Sequence, residues 1–245
     1  METIIKWLGH SAFEIIVGGQ NILLDPWLNH NELSERKAKD FKKVDLIAVS
    51  HGHVDHFGDT MEIMRNTEAK LICTPIISWY IDLRGIYKTS GRNIALAHGG
   101  TVTLGNMRIS MVNALHPTAL FADEWPLLKQ YSQDGGAVGY VIRTPDDHSI
   151  YFAGDTDIFM DMQLIEKKYH PDVAILPIGG RFTMDCESAI MAVDMLKPKY
   201  LIPMHYNTHA EIPVDVDKFV KDMKEAHPDV SVIIPNPGEA WYLEK

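Results

Sequence analysis

Short apolar runs broken by Gly, Pro and Asp dominate the first two thirds of the chain, and amphipathic stretches of helical period take over after Asp157. Runs rich in β-branched and aromatic residues predict strands over Thr3–Leu8, Ala12–Val17 and Asn21–Leu24, with Gly18-Gly19 as the hairpin turn between the second and third. VDLIAVS (Val44–Ser50) is apolar without alternation, the pattern of a strand covered on both faces. A helix over Asp59–Asn66, a strand over Lys70–Thr74 and a helix opened by Pro75 follow, then strands near Asn93–Ala97, Thr101–Leu104 and Arg108–Ala114. Gly136–Arg143 and Ser149–Ala153 read as two more strands around the polar turn PDDH.

Beyond Asp157 the pattern predicts a helix over Ile158–Tyr169, a strand over Val173–Leu176, a helix over Glu187–Leu196 and a strand over Tyr200–Pro203. Val216, Phe219, Val220 and Met223 then fit the i, i+3, i+4, i+7 stripe of a helix, and strands Ser231–Ile234 and Ala240–Leu243 close the chain. Each half thus passes from strands into alternating helix and strand. That argues for an α/β protein with two sheets in one packed core and helices outside. No linker or shift in composition divides the chain, so residues 1–245 are read as one domain. ILLDP (Ile22–Pro26) and IYFAGD (Ile150–Asp155) echo each other as apolar strands ending in Asp, a likeness chance alone can produce. Pro117–Asp134 stands apart as a long segment carrying Phe121, Trp125 and Tyr131. It is expected to be a lid or a subunit contact, with a surface excursion packing its aromatics on the body as the alternative.

Composition adds exclusions. Hydrophobic residues make up 46% and charged residues 23%, an ordinary globular balance. A chain of this length buries about 70% of its unfolded surface, so no disulfide staple is needed. Cys73 and Cys186 are isolated and read as small core residues of a reduced compartment. The 23 basic and 33 acidic residues leave a net charge of −10, which argues against a nucleic-acid partner held by phosphate neutralisation. The start METIIKWLGH lacks the apolar core of a secretion signal, and no stretch of about 18 apolar residues is available to span a membrane. The expectation is a cytoplasmic protein with a small-molecule substrate, no membrane partner, and a homo-oligomer left open.

The chemistry gathers at strand ends. His51-Gly52-His53-Val54-Asp55-His56 directly follows the buried Val44–Ser50 run, where open α/β sheets bind ligands. His51 and His53, two apart, point the same way in an extended chain, and a turn after His53 lets Asp55 and His56 converge close by, with Gly52 and Gly58 permitting the tight backbone. Imidazole with carboxylate suits Zn, and also Mn, Fe, Ni or Co. One loop cannot complete two ions. Further donors end other predicted strands: His116 in NALHP, Asp155 in AGDTD and His205 in IPMHYN. Two divalent ions about 3.5–4 Å apart can share a hydroxide acidic enough to be a nucleophile at neutral pH, and can polarise a carbonyl or phosphoryl oxygen. Asp55 has a spare oxygen to orient that hydroxide, which makes it the candidate catalytic residue. No G-x-S-x-G occurs, and no Ser–His or Cys–His nucleophile is required.

HGHVDH followed by His116, Asp155 and His205 resembles the metallo-β-lactamase superfamily over essentially the whole chain. WLGHSAFEI, ILLDPWL, LPIGGRFTM and PMHYNT are similar to one branch, the uncharacterised metal-dependent hydrolases related to the L-ascorbate-6-phosphate lactonases. The resemblance implies an αββα four-layer sandwich with two adjacent metal ions at one edge. It implies that His51, His53 and His116 hold the first ion, that Asp55, His56 and His205 hold the second, and that Asp155 bridges them. Asp25 resembles the early buried Asp that supports ligand geometry, the alternative being a cap on the turn at Pro26. His10 is a motif residue expected to line the pocket or bond within it, the alternative being a core histidine.

Phe182, Thr183 and Met184 are expected on the loop before the next helix, near the site, with Thr183 or Asp185 capping that helix. Arg181, Arg84, Arg92 and Lys129 are candidates for an anionic substrate group, against a solvated surface role. The remaining histidines (His30, His98, His148, His170, His209 and His227) read as surface or turn residues, His209 being close enough to His205 to be the exception. The implied function is hydrolysis of a small-molecule ester, lactone or phosphoester at a dinuclear site. The alternatives are a phosphodiesterase or nuclease of the same fold, which the acidic balance weighs against, and a metal-binding protein without turnover, which the complete ligand set weighs against.

Overall fold

Three strands open the chain: β1 (Thr3–Gly9), β2 (Ala12–Val17) and β3 (Gln20–Leu24), joined by tight turns into an antiparallel meander. Its register sets Ile5 against Ile15 and Ile15 against Ile22, so one face carries a continuous apolar ladder. β4 (Leu46–Ala48), β5 (Lys70–Cys73) and β6 (Asn93–Ala95) then add in parallel, each reached by a crossover, and β14 (Ala240–Leu243) pairs antiparallel on the other side of β1. The structure, a computed structural model, describes residues 2–83, 91–118 and 135–244. Arg84, Lys129 and the segment Pro117–Asp134 beyond Thr118 lie outside the described residues.

The second sheet repeats the plan. β7 (Thr101–Leu104), β8 (Met107–Asn113), β9 (Val138–Arg143) and β10 (Ser149–Phe152) pair antiparallel, and β11 (Val173–Pro177), β12 (Tyr200–Met204) and β13 (Ser231–Val232) follow in parallel. Read from the antiparallel edge, both seven-stranded sheets make three antiparallel pairings and then three parallel ones. β3 and β10 occupy the same fourth place, and they are the strands whose sequences echo each other.

The sheets pack face to face through Ile5, Phe13, Ile22, Met111, Tyr140 and Phe152. Outside the first sheet lie α2 (Thr60–Asn66) and α3 (Pro75–Leu83), with Ile63, Met64, Ile77 and Tyr80 buried in a second cluster. Outside the second lie α4 (Met162–Tyr169), α5 (Cys186–Leu196) and α6 (Val216–Ala226), which insert Ile165, Val193 and Phe219. This is the expected αββα sandwich.

Several boundaries shift. The helix expected from Ile158 starts at Met162, because Asp157 Oδ1 accepts the Ile158 N–H at 2.8 Å and holds that stretch in a turn. The one-turn helix α1 (Val54–Phe57), too short to show a period, follows His53. His148, expected at the surface, is buried. Both cysteines are free, Cys73 buried and Cys186 half-buried. Among the described residues no helix is long and apolar enough to cross a membrane.

Candidate metal centre

Because β1, β3 and β4 run the same way, as do β8, β10 and β12, their C-terminal ends meet at one edge of the sandwich. His10 follows β1, Asp25 follows β3, His51 to His56 follow β4, His116 follows β8, Asp155 follows β10 and His205 follows β12. Three of these residues, His10, Asp25 and His205, take the left-handed backbone with φ of 56°, 41° and 56°. Such strain costs on the order of 1 kcal/mol or more per residue, and here it turns each side chain back over the edge. Gly179 has to be glycine, since a Cβ there would meet the His205 carbonyl oxygen at 2.2 Å. Of the two glycines flanking the histidine loop, Gly58 is left-handed (φ 42°) and Gly52 is not.

The hydrogen bonds fix which ring nitrogens are bare. Asp25, fully buried, accepts from the Ser50 backbone N–H at 2.7 Å, the Ser50 hydroxyl at 2.5 Å and His56 Nδ1 at 2.7 Å. An ionised carboxylate only accepts, so His56 carries its proton on Nδ1 and turns Nε2 inward. The single Ser50 hydroxyl proton goes to Asp25, so Ser50 Oγ accepts from His51 Nδ1 at 2.9 Å, which turns His51 Nε2 inward as well. Carboxylate, hydroxyl and imidazole thus form the outer support typical of metal-ligating histidines. The Asp25 side chain is thus spent on Ser50 and His56, and through Ser50 it reaches His51, while only its backbone carbonyl closes the turn at Pro26, accepting the Trp27 N–H at 2.8 Å.

The inward atoms sort into two groups, each with its donor atoms within 4.8 Å of one another. His51, His53, His116 and Asp155 form one, and His10, Asp55, His56 and His205 the other. His51 Nε2 lies 2.9 Å and His116 Nε2 3.3 Å from His53 Nδ1. Asp155 stands between the groups. Its Oδ2 is 3.2 Å from His205 Nε2 and 3.6 Å from His116 Nε2, and its Oδ1 is 3.2 Å from His56 Nε2. His56 Nε2 and Asp155 Oδ1 are both buried without a hydrogen-bond partner. A bare nitrogen facing a bare carboxylate oxygen in a buried site is what a divalent cation fits. A third grouping, Asp25 with His51 and His56, is the outer support already described, its carboxylate oxygens being occupied.

Electrostatics point the same way. Burial, with His56 nearby, pushes the His51 imidazole well below its ordinary pKa, and burial lowers His116 too. Burial and then His205 lower His10 to about 4. Burial opposes ionisation of Asp155, but His205 and His56 beside it hold its carboxyl well below the usual range. Burial likewise opposes charge on His56, yet the carboxylates of Asp155 and Asp25 raise it well above the ordinary value. The field that draws a proton onto His56 draws a cation to the same place.

The site opens into a cavity of roughly 430 Å³ lined by His53, Val54, Asp55, His116, Pro117, Asp155, Arg181, Phe182 and His205. Arg181 and Phe182, both candidates from the sequence, line it. Thr183 lies on the same loop but does not line it. Its hydroxyl makes a 3.4 Å contact with the Met184 carbonyl, and the turn closed by Gly180 N–H on the Met184 carbonyl keeps it off the cavity wall. Asp185 caps α5, accepting the Ser188 N–H at 2.8 Å. Arg92 is spent on the Thr67 carbonyl at 2.7 Å, away from the site. His209 does approach, its ring 5.6 Å from those of His10 and Trp27.

Sequence reasoning missed Ser50 and Thr208. Ser50 had a signal, a lone hydroxyl ending an apolar strand just before a histidine; Thr208 closes the PMHYNT run, but its contact could not be read there because its partner is 198 positions away.

Comparison with known proteins gives the family of the chain. The family model for the β-lactamase superfamily domain matches residues 4–205. A UPF0173 metal-dependent hydrolase of Methanopyrus kandleri is 40% identical over 237 residues, covering 97% of this chain and 98% of the relative. Another, of Methanosarcina mazei, is 40% identical over 240 residues, covering 98% of each. Among solved structures, Igni18, a metallo hydrolase from the hyperthermophilic archaeon Ignicoccus hospitalis, superposes with a TM-score of 0.84 at 34% identity over the whole of both chains.

Proposed function

The chain belongs to the β-lactamase superfamily, among the UPF0173 metal-dependent hydrolases, and from that premise we propose that it hydrolyses a small-molecule ester, lactone or phosphoester with two divalent ions held side by side. The observation that carries this reading is the convergence of seven side chains from both sheets into two donor groups that meet at Asp155. His51, His53 and His116 would hold one ion, Asp55, His56 and His205 the other, with Asp155 between. The imidazole-rich set favours Zn, and its carboxylates also suit Mn, Fe, Ni or Co. Bound there, such ions supply an acidified water and a Lewis acid for a carbonyl or phosphoryl oxygen.

The chain's own residues do the rest. Asp55 Oδ2 accepts from His10 at 3.2 Å and keeps a second lone pair with which it would hold the ion, and Oδ1 would be the oxygen that accepts a proton from an attacking water. The cavity is of a size for a small molecule, and the half-exposed Val54 and Phe182 offer apolar contact beside the reacting bond. Arg181 on the same wall is placed to meet an anionic group.

The test is a screen of lactones, simple esters, thioesters and bis-p-nitrophenyl phosphate on metal-reconstituted protein. The expected result is turnover of a lactone or ester that chelation abolishes and metal restores, and that Asp55→Asn lowers by about a hundredfold or more. Preferential cleavage of the phosphodiester or of single-stranded RNA would replace this reading with a nuclease. No turnover of any class by protein shown to hold its ions would end it.

A further inference from the structure

His10 is fully buried at the junction of the two sheets, in no part of the histidine motif, and every polar atom of its side chain and its carbonyl is engaged. Its Nε2 lies 3.2 Å from Asp55 Oδ2 and its Nδ1 2.6 Å from the Thr208 hydroxyl. Its carbonyl accepts from the His205 backbone N–H at 3.1 Å and from Trp7 Nε1 at 2.8 Å. One residue therefore grips Asp55, on the loop of the first sheet, through its ring, and His205, at the end of a strand of the second, through its backbone. Its ring also packs 4.1 Å, centroid to centroid, from that of His205.

By proximity alone His10 belongs to the second donor group. The hydrogen bonds exclude it as a ligand there. An ionised Asp55 only accepts, so the contact at Asp55 Oδ2 places a proton on His10 Nε2, and a protonated nitrogen has no lone pair for a cation. The Thr208 hydroxyl on the far nitrogen keeps the ring turned that way. The cost of the left-handed backbone at His10 (φ 56°) is then borne by an element that aligns two donors at once.

We propose that His10 is a positioning residue for the second ion, orienting Asp55 with its imidazole and registering His205 with its carbonyl, while taking no part in the first site. This rests on the two-ion reading above. It predicts a selective effect, because the described hydrogen bonds of His10 go to Asp55, Thr208, Trp7 and His205, the second group and its surroundings.

The experiment is titration of chelator-stripped protein with Zn²⁺, reading bound metal per chain by elemental analysis and the affinity of each ion by calorimetry. Wild type, His10→Ala, His10→Gln and Thr208→Val are compared. Gln sets an amide N–H near the position of Nε2 and can donate to Asp55, but is a poor ligand. His10→Ala is expected to keep the first ion and to weaken the second by about 10- to 100-fold. His10→Gln should recover most of that loss, and Thr208→Val should show a smaller loss of the same kind. Retention of the first ion certifies that the variants are folded at the site.

A second-ion affinity in His10→Ala unchanged from wild type would overturn the proposal. So would a loss that Gln does not recover, since that would make His10 a ligand, or a loss of both ions together. The wild-type titration reports separately on the parent reading: a single ion there defeats the dinuclear site itself, whatever the variants do.

Discussion

Asp25 and Asp155 follow strands in the same place of two sheets built on the same pairing plan, both are buried, and they have opposite surroundings. Asp25 directly follows β3, and hydrogen-bond donors from Ser50 and His56 fill both its oxygens. Asp155 is carried two residues further past its strand by Ala153 and Gly154. There it meets the inward nitrogens of His56, His116 and His205, and Oδ1 has no hydrogen-bond partner. The same residue type at the same topological place is thus a scaffold in one sheet and, in the proposed site, the group that would face metal in the other. What faces the carboxylate decides its role, not where the strand ends. A donor-filled carboxylate is paired and stable by itself, whereas one facing bare nitrogens is stable only with a cation or proton between them.

Mutating the two carboxylates should therefore give crossed results. Asp155→Asn is expected to have the largest effect on function, lowering turnover by more than about a hundredfold and reducing metal content below that of wild type. Asp25→Ala is expected to have the larger effect on stability. It leaves the buried Ser50 N–H and hydroxyl and His56 Nδ1 without an acceptor, a loss of about 3 kcal/mol. Thermal melts in the presence of chelator check this: Asp25→Ala should melt well below wild type, and Asp155→Asn below wild type by a smaller margin. Equal melting losses would erase the distinction.

Acid sharpens the same contrast. The folded protein holds His10, His51 and His116 neutral, so below about pH 6.5 the unfolded chain binds protons that the folded one refuses. Stability from these groups is fully present above pH 6.5 and falls away in acid, His10 alone accounting for on the order of 3 kcal/mol as the pH drops to its folded value of about 4. Asp155 and Asp55, held below the usual carboxylate range, extend the loss to lower pH, since their contribution is present above about pH 3.9 and disappears beneath it. His56 works in the other direction: raised by Asp155 and Asp25, it favours the folded state at low pH and loses that contribution as pH rises through its folded value. Denaturant melts of metal-free protein from pH 7.5 to 4 should show a net fall, with the His10→Gln variant losing less over the same range.

The smallest effect is expected at the rim. Arg181→Met should raise KM severalfold for an anionic substrate and leave kcat within about twofold, because Arg181 lines the cavity and belongs to neither donor group. Steady-state kinetics on a charged and an uncharged substrate of the same scaffold would measure it.

Much of this was legible in the chain because the informative residues sit where local patterns end. The histidine loop directly follows an apolar strand, and His116, Asp155 and His205 each close another, so strand assignment and donor assignment supported each other. The echo of ILLDP and IYFAGD proved to mark equivalent strands, though the sequence alone could not separate it from chance. What stayed hidden depends on contacts between distant segments. The one-turn helix carrying Asp55 and His56 is too short to repeat the helical period, Thr208 meets His10 across 198 positions, and the turn that removes Thr183 from the cavity is set by a backbone bond between Gly180 and Met184. Arg92 looked like any free cation until its backbone partner was placed.

The central claim is that two donor groups sharing Asp155 hold two ions, and anomalous diffraction at the metal edge from crystals of metal-reconstituted protein tests it most directly. The account predicts two peaks per chain, one among His51, His53 and His116 and one among Asp55, His56 and His205, with the Asp155 carboxylate between them. A single peak, or density placed away from Asp155, would contradict it.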